Sequence, residues 1–383
     1  MAAPTTTEKT TIALPSASIE VSFTGTPIGN INYAIDGLLP DISAASSDPR
    51  QIVVIDSVYS GIGRENRDFY GTVVQRIFNH LKIAHKYVKT SSAATIKEWA
   101  AALTDDVAIV IISGDTSIYE IVNNVKKNLN LQVFPIPLGT GNAIANSIGI
   151  TDEFKGLEAF LSTVGTTQGG SLKRLPIYKT TFPEGSTLPF QDNQTVKSLY
   201  FIAVASWGVH SKLVYLSEAP ELKKLGLERF KIAAGQALSS DIKFNAEVST
   251  NPNFKVHNYF NVIAVPNFEK TYRISPDSNI FRNELHLLDI GGASAETSLT
   301  NAELGELLMK PYQNGAHIDP NDKRIFYEKI SNDVVLTLTE DDPQKAIFCV
   351  DGISVQVANP NGKSVKIGFV DEDEVADIRV PSV

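Results

Sequence analysis

A single cysteine in 383 residues, Cys349, excludes a disulfide framework and a cysteine-ligated zinc site. It lies in an apolar stretch, residues 346–350, where it is expected as a small buried hydrophobe. A basic surplus is also lacking, since 34 Lys and Arg face 43 Asp and Glu for a formal charge of −9. A phosphate-backbone binder normally carries the opposite imbalance, so nucleic acid is not an expected partner. No stretch approaches the roughly 18 apolar residues of a membrane-crossing helix. The Ala/Pro/Thr-rich residues 1–10 lack the apolar core of a signal peptide. The expectation is a cytoplasmic protein whose membrane contact is at most a transient, peripheral one.

What is present suffices for two conventional cores, with 43% apolar residues. Residues 1–50 form an extension with β-like segments at 11–14, 19–23 and 31–35 and a small-polar linker at 41–50. From 51 to about 170 the chain alternates strands (52–55, 86–88, 107–112, 133–136) with helices (65–81, 95–103, 117–128, 142–147). Such alternation predicts an α/β domain, a parallel sheet flanked by helices with ligands at the carboxyl ends of its strands. Residues 171–370 read instead as strands joined by turns, among them 198–206, 242–248, 258–265, 284–290, 346–350 and 354–357, interrupted by one helix at 221–238. That texture predicts a mostly antiparallel β-sandwich. The acidic residues 371–383 read as a solvated tail.

Two small-residue turns stand where apolar strands hand over to helices. One is Ser113-Gly114-Asp115-Thr116-Ser117-Ile118-Tyr119-Glu120, and the other is Leu138-Gly139-Thr140-Gly141-Asn142-Ala143. Turns of this kind expose backbone N–H groups at helix N-termini and so hold phosphate. A third, Ser57-Val58-Tyr59-Ser60-Gly61-Ile62-Gly63-Arg64, follows the first strand. Each has a plainer reading. Asp115 could satisfy local N–H groups as a turn aspartate. Ser117-x-x-Glu120 before an apolar run is a capping box. Gly139 to Asn142 could simply turn and cap, and Asp351-Gly352 is a hairpin signal.

Together the turns resemble the diacylglycerol kinase-like lipid kinases, and within them the sphingosine, long-chain-base and ceramide kinase branch. Leu138-Gly139-Thr140-Gly141-Asn142-Ala143-Ile144-Ala145 is similar to that branch's Gly-Ser/Thr-Gly-Asn-Ala-Leu-Ala, and Ser113-Gly114-Asp115 to its Ser-Gly-Asp. Further along, Ala205-Ser206-Trp207-Gly208, Ser217-Glu218, Leu225-Gly226 and Arg229-Phe230 follow the family's Trp-Gly, Ser-Glu, Leu-Gly, Arg-Phe series. The resemblance spans about 52–369. It implies ATP and Mg²⁺ as cofactors, a lipid alcohol substrate, and nucleotide and lipid meeting between an α/β and a β-rich domain.

By resemblance Asp115 is the base that accepts the hydroxyl proton, the role phosphoryl transfer to an alcohol requires. Nucleotide contacts are implied for Ser60, Gly61, Gly63, Arg64, Thr90, Ser113, Gly114, Thr116, Glu120, Gly139, Thr140, Gly141, Asn142, Lys223, Arg229, Asp351 and Gly352. Substrate contacts are implied for Trp207 and His210, and no residue is assigned as a metal ligand. Four departures from the pattern stand out. In the first turn Ser57, Val58 and Ile62 replace the family's Asn, Pro and first Lys. Thr116 replaces a Gly, at a cost if that position needs a positive φ. Val214, with Lys212 and His210 nearby, stands where sphingosine kinases carry a head-group Asp. Ile353 replaces the Glu of a C-terminal Asp-Gly-Glu. The expected function is therefore an ATP-dependent lipid kinase. The rival is a lipid-kinase-like pseudokinase that binds nucleotide, lipid or a protein without turnover. An NAD kinase-type enzyme shares the Gly-Asp turn but not the Gly-Thr-Gly-Asn-Ala turn.

Overall fold

The run Val-Ala-Ile-Val-Ile-Ile-Ser at 107–113 is buried at every position, as a strand covered on both faces must be. It is the middle of a parallel sheet in a computed structural model that describes residues 7–14, 17–24, 31–35, 50–61, 63–65, 67–164, 171–226 and 228–382. The chain divides into two units, Met1–Arg174 with Ala376–Val383, and Leu175–Val375.

The first unit opens with three antiparallel strands, β1 (Thr7–Leu14), β2 (Ala17–Thr24) and β3 (Asn32–Ile35). Ile12, Ile19, Val21 and Tyr33 from these strands join Phe69, Phe154 and Phe160 in one core. The expected linker at 41–50 lies outside the described residues apart from Arg50. Then come β4 (Gln51–Asp56), β5 (His85–Lys89), β6 (Val107–Ser113), β7 (Asn130–Pro137) and β8 (Leu172–Arg174). Helices α1 (Gln75–His80), α2 (Thr95–Ala102), α3 (Asp115–Asn124), α4 (Ala143–Ser147) and α5 (Glu153–Val164) alternate with them. The sheet order is β5-β4-β6-β7, then the Asp377–Pro381 strand, then β8. Parallel register pairs Asp56 with Ile112 and Ser113 with Pro137, so the turns after β4, β6 and β7 leave one edge together.

Two expectations need correction here. The helix expected from 65 begins later, as a π-turn at Tyr70–Val74 leading into α1. Before it, the Arg67 N–H donates to the Arg64 carbonyl and the Phe69 N–H to that of Arg67. The acidic tail is also partly wrong. Asp377–Pro381 is a strand parallel to β7 and antiparallel to β8, with Ile378 and Val380 fully buried. The charges at 371–374 obscure an apolar alternation at 376, 378 and 380 that meets the sheet's inner face.

The second unit is the mostly antiparallel β domain expected, with thirteen strands in one sheet and a separate two-stranded ribbon of Asn267–Glu269 and Tyr272–Arg273. The anticipated strand at 198–206 is two, Ser198–Phe201 and Val204–Gly208, and the single helix at 221–238 is broken. Helices run over Val209–Ser217, Pro220–Lys223 and Glu228–Leu238, with Gly226 at a φ of 56° between the last two. A further helix, Asn301–Leu307, carries a capping box, Thr300 with Glu303.

Candidate active site

Arg64 organises the turn after β4. Its Nε donates to the Asp56 carboxylate at 2.9 Å, Nη1 to the carbonyls of Ser60 (3.2 Å) and Gly63 (3.4 Å), and Nη2 to those of Ser57 and Ile112, both at 3.0 Å. All five guanidinium N–H groups are thereby used. Where the resemblance implied a phosphate contact for Arg64, its charge faces Asp56 and its donors face Ile112 and the loop itself. Thr90 is buried, and its hydroxyl accepts the Val58 N–H at 3.1 Å, which steadies the same turn. Ile62 lies outside the described residues.

The turns after β6 and β7 pack against one another through glycines. A Cβ on Gly139 would stand 2.2 Å from the Gly114 Cα, and one on Gly114 would stand 2.6 Å from the Gly141 carbonyl oxygen. Gly61, at a φ of 65°, closes the group, since its Cβ would lie 2.5 Å from the Leu138 carbonyl oxygen. Asn142 latches its own turn, accepting the Gly139 N–H at 3.2 Å and donating to the Gly139 carbonyl at 3.0 Å. The hydroxyls of Ser113 and Ser117 touch, and Ser113 reaches Ser60 at 3.4 Å. The three turns that the sequence singles out thus converge.

Asp115 sits at the centre of this convergence. Its N–H donates to the Gly141 carbonyl at 3.1 Å, and its carboxylate accepts the N–H groups of Ala143 (2.6 Å) and Ile144 (3.0 Å) at the start of α4. Burial pushes its carboxyl up to about 6 against the pull of those two amides. Each accepted bond occupies one lone pair, so each oxygen keeps another for a proton. Among the described residues, the backbone N–H groups of Gly61, Gly114, Thr140 and Gly141 have no hydrogen-bond acceptor. Unsatisfied donors beside a helix N-terminus form a concavity suited to an anion.

The capping box expected at Ser117 and Glu120 is not formed. α3 starts two residues earlier, with Gly114 as its N-cap and no side-chain cap. Ser117 turns instead to Ser113, and Glu120 accepts from the Asn124 amide at 3.2 Å. Burial raises the Glu120 carboxyl, while Lys97 and Asn124 oppose that shift. Thr116 is exposed in the first turn of α3, and its φ is not positive. The condition for a cost at that position is therefore not met, and its side chain brings no backbone strain.

In the second unit the residues implied as contacts have partners within the protein. Asp351 and Gly352 form the tight turn between the paired residues Val350 and Ile353, with φ of 45° and 90°. The buried Asp351 carboxylate accepts the N–H groups of Ile202 (2.7 Å), Ala203 (3.0 Å) and Val204 (2.8 Å). Asp351, implied with Gly352 as a nucleotide contact, thus staples the hairpin across the break between two strands. Asp351→Ala would leave those amides buried without an acceptor. A stability loss of about 2–3 kcal/mol is expected, read as a lower urea midpoint at unchanged slope.

Trp207, implied as a substrate contact, lies in the core. Its ring is fully buried, stacked near Phe348, and its Nε1 donates to the Lys345 carbonyl at 2.7 Å, leaving no face for a substrate. His210 bonds the Ser206 hydroxyl through Nδ1 at 2.7 Å and lies against Tyr259 and Phe268. Burial pulls it down to about 4, so it is neutral near pH 7. Lys223 and Arg229 both lean on Glu218, at 2.9 and 3.5 Å. Val214 and Lys212 lie on the Val209–Ser217 helix, and Ile353 is half-buried in its strand. Asp56 escaped the sequence reading. An Asp ending a strand eight residues before the Arg that it binds was the available signal.

Residues 51–169 match the family model of the diacylglycerol kinase catalytic domain. Over 87% of its length the chain has the two-domain fold of solved diacylglycerol kinases. A diacylglycerol kinase from Bacillus anthracis str. Sterne is 12% identical, with 87% of this chain and 96% of that chain covered at a TM-score of 0.53. A putative diacylglycerol kinase from the same organism is 11% identical, with the same coverage and a TM-score of 0.54. At such identities the likeness establishes the fold. No curated protein sequence matches the chain.

Proposed function

We propose that the chain is a phosphotransferase that moves the γ-phosphoryl group of ATP to the primary hydroxyl of a lipid. The observation that carries this reading is the convergence of three turns with unpaired N–H groups around one carboxylate whose proton affinity is raised. The N–H groups of Gly61, Gly114, Thr140 and Gly141 would bind phosphate oxygens. Asp115 would accept the proton of the attacking hydroxyl while the bond from the γ-phosphorus to the bridging oxygen breaks and ADP leaves. Among the described residues no three acidic, His or Cys side chains converge. An Mg²⁺ ion, which takes oxygen ligands, would be held chiefly by phosphates and water, and would neutralise charge there.

Val214 and Lys212 offer no anionic partner for an amine, which favours a neutral lipid alcohol over a sphingoid base. No helix among the described residues is long and apolar enough to cross a membrane, so contact with the lipid would be peripheral. A second reading, nucleotide binding without turnover, is favoured by two observations. The Asp351 carboxylate is consumed by backbone amides, and Ile353 is apolar. Incubating the purified protein with labelled ATP, Mg²⁺ and a mixed lipid extract separates the two, because only an enzyme yields labelled lipid.

The pH profile is a further check. A base must be unprotonated to act, so a carboxyl held near 6 predicts turnover that is constant at pH 7–8 and falls about tenfold per pH unit well below 6. A limb near pH 4, the ordinary carboxyl range, would remove Asp115 from that role.

A further inference from the structure

In the polar network around Arg64, all five guanidinium N–H groups are given to acceptors within the protein. The ion pair is almost fully enclosed, with the Arg64 and Asp56 side chains 9% and 2% exposed. We infer that Arg64, Asp56 and Tyr87 form a positioning clamp that pre-sets the first phosphate turn, so that phosphate is recognised there by backbone amides and not by a side-chain cation. The inference rests on the phosphate-site reading above.

The geometry carries it. Four carbonyls are drawn to one planar fork, three from the turn itself (Ser57, Ser60, Gly63) and one, Ile112, from the last turn-ward residues of β6. The fork therefore ties the first turn to the strand that leads into Gly114, while Gly61 seats it on Leu138. Pulling these carbonyls inward leaves the Gly61 N–H without an acceptor among the described residues. Asp56 cancels the guanidinium charge and is itself held by the Tyr87 hydroxyl at 3.3 Å. Tyr87 is in turn fixed by stacking on Tyr70, with ring centroids 3.7 Å apart and planes at 4°. A lysine, with three donors on one nitrogen, cannot span carbonyls on both sides of such a fork. Arg64 touches no reacting atom and acts only through the turn.

The test uses full-length Arg64→Lys and Tyr87→Phe proteins. If the clamp positions the turn, Arg64→Lys keeps the charge yet lowers ATP·Mg²⁺ affinity by calorimetry roughly 10–100-fold. KM for ATP should rise similarly with KM for the lipid unmoved. Tyr87→Phe should have a smaller effect of the same kind. Amide hydrogen exchange should quicken at 57–64 while β4 stays protected. Wild-type ATP affinity in Arg64→Lys overturns the clamp. Should the wild type itself take up no ATP, the phosphate-site reading fails, and hydrogen exchange then decides the clamp alone. Unchanged exchange at 57–64 in Arg64→Lys overturns it.

Discussion

Asp115→Asn is expected to lower phosphoryl transfer by roughly 10²–10⁴-fold, the usual contribution of a positioned general base. The structure adds a second effect that the sequence did not foretell. The Asp115 carboxylate accepts two backbone amides at the start of α4. Asparagine offers one carbonyl oxygen, so its amide would face one of those N–H groups without bonding it. Loss of one such bond costs about 1 kcal/mol, enough for a change in ATP affinity of about fivefold. Turnover measured with labelled ATP, beside calorimetric ATP binding, separates the two effects. Turnover close to wild type would mean that Asp115 is only a cap for α4.

Gly139→Ala should damage binding more than any other single methyl group in the site. Its Cβ would meet the Cα and N of Gly114 at 2.2 and 2.5 Å, and these backbone atoms cannot rotate aside as a side chain can. The turns after β6 and β7 must then part. A misplacement on the order of 1 Å can cost about 10²-fold, and overpacking of this kind costs about 1–3 kcal/mol of stability. Gly141→Ala is the control. Its Cβ would meet nothing nearer than the Asp115 carboxylate at 3.6 Å, an ordinary contact. Calorimetry with ATP·Mg²⁺ should find Gly139→Ala about 10²-fold weaker and Gly141→Ala within a few-fold of wild type. Equal affinities would show that packing between the turns does not shape the site.

Much of the first unit was legible because its signals are local. A fully buried parallel strand reads as an unbroken β-branched run, and a turn forced into contact with another turn reads as glycine. The features that escaped depend on partners distant in sequence. Whether Arg64 points to a ligand or inward depends on Ile112 and Asp56, and nothing within the 57–64 segment reveals that choice. Asp351 beside a glycine signals a hairpin, but its carboxylate is claimed by amides at 202–204, which the strand break alone exposes. The Ser117 capping box failed for a related reason. The Asp115 N–H found its acceptor in Gly141, on another turn, so α3 could begin before the serine that would have capped it.

The placement of Asp377–Pro381 between β7 and β8 bears on how the protein comes into being. In sequence, the whole of the second unit is an insertion into the first, flanked by β8 on one side and this strand on the other. During synthesis β7 and β8 emerge with a vacant lane between them, and some two hundred residues are translated before its occupant follows. Until then the β7 edge presents unpaired amides and carbonyls, the pattern that invites pairing with a foreign strand. The turn after β7, which carries Gly139 and Gly141, belongs to that waiting edge, so the three converging turns stand on a finished sheet only after the β domain has been made.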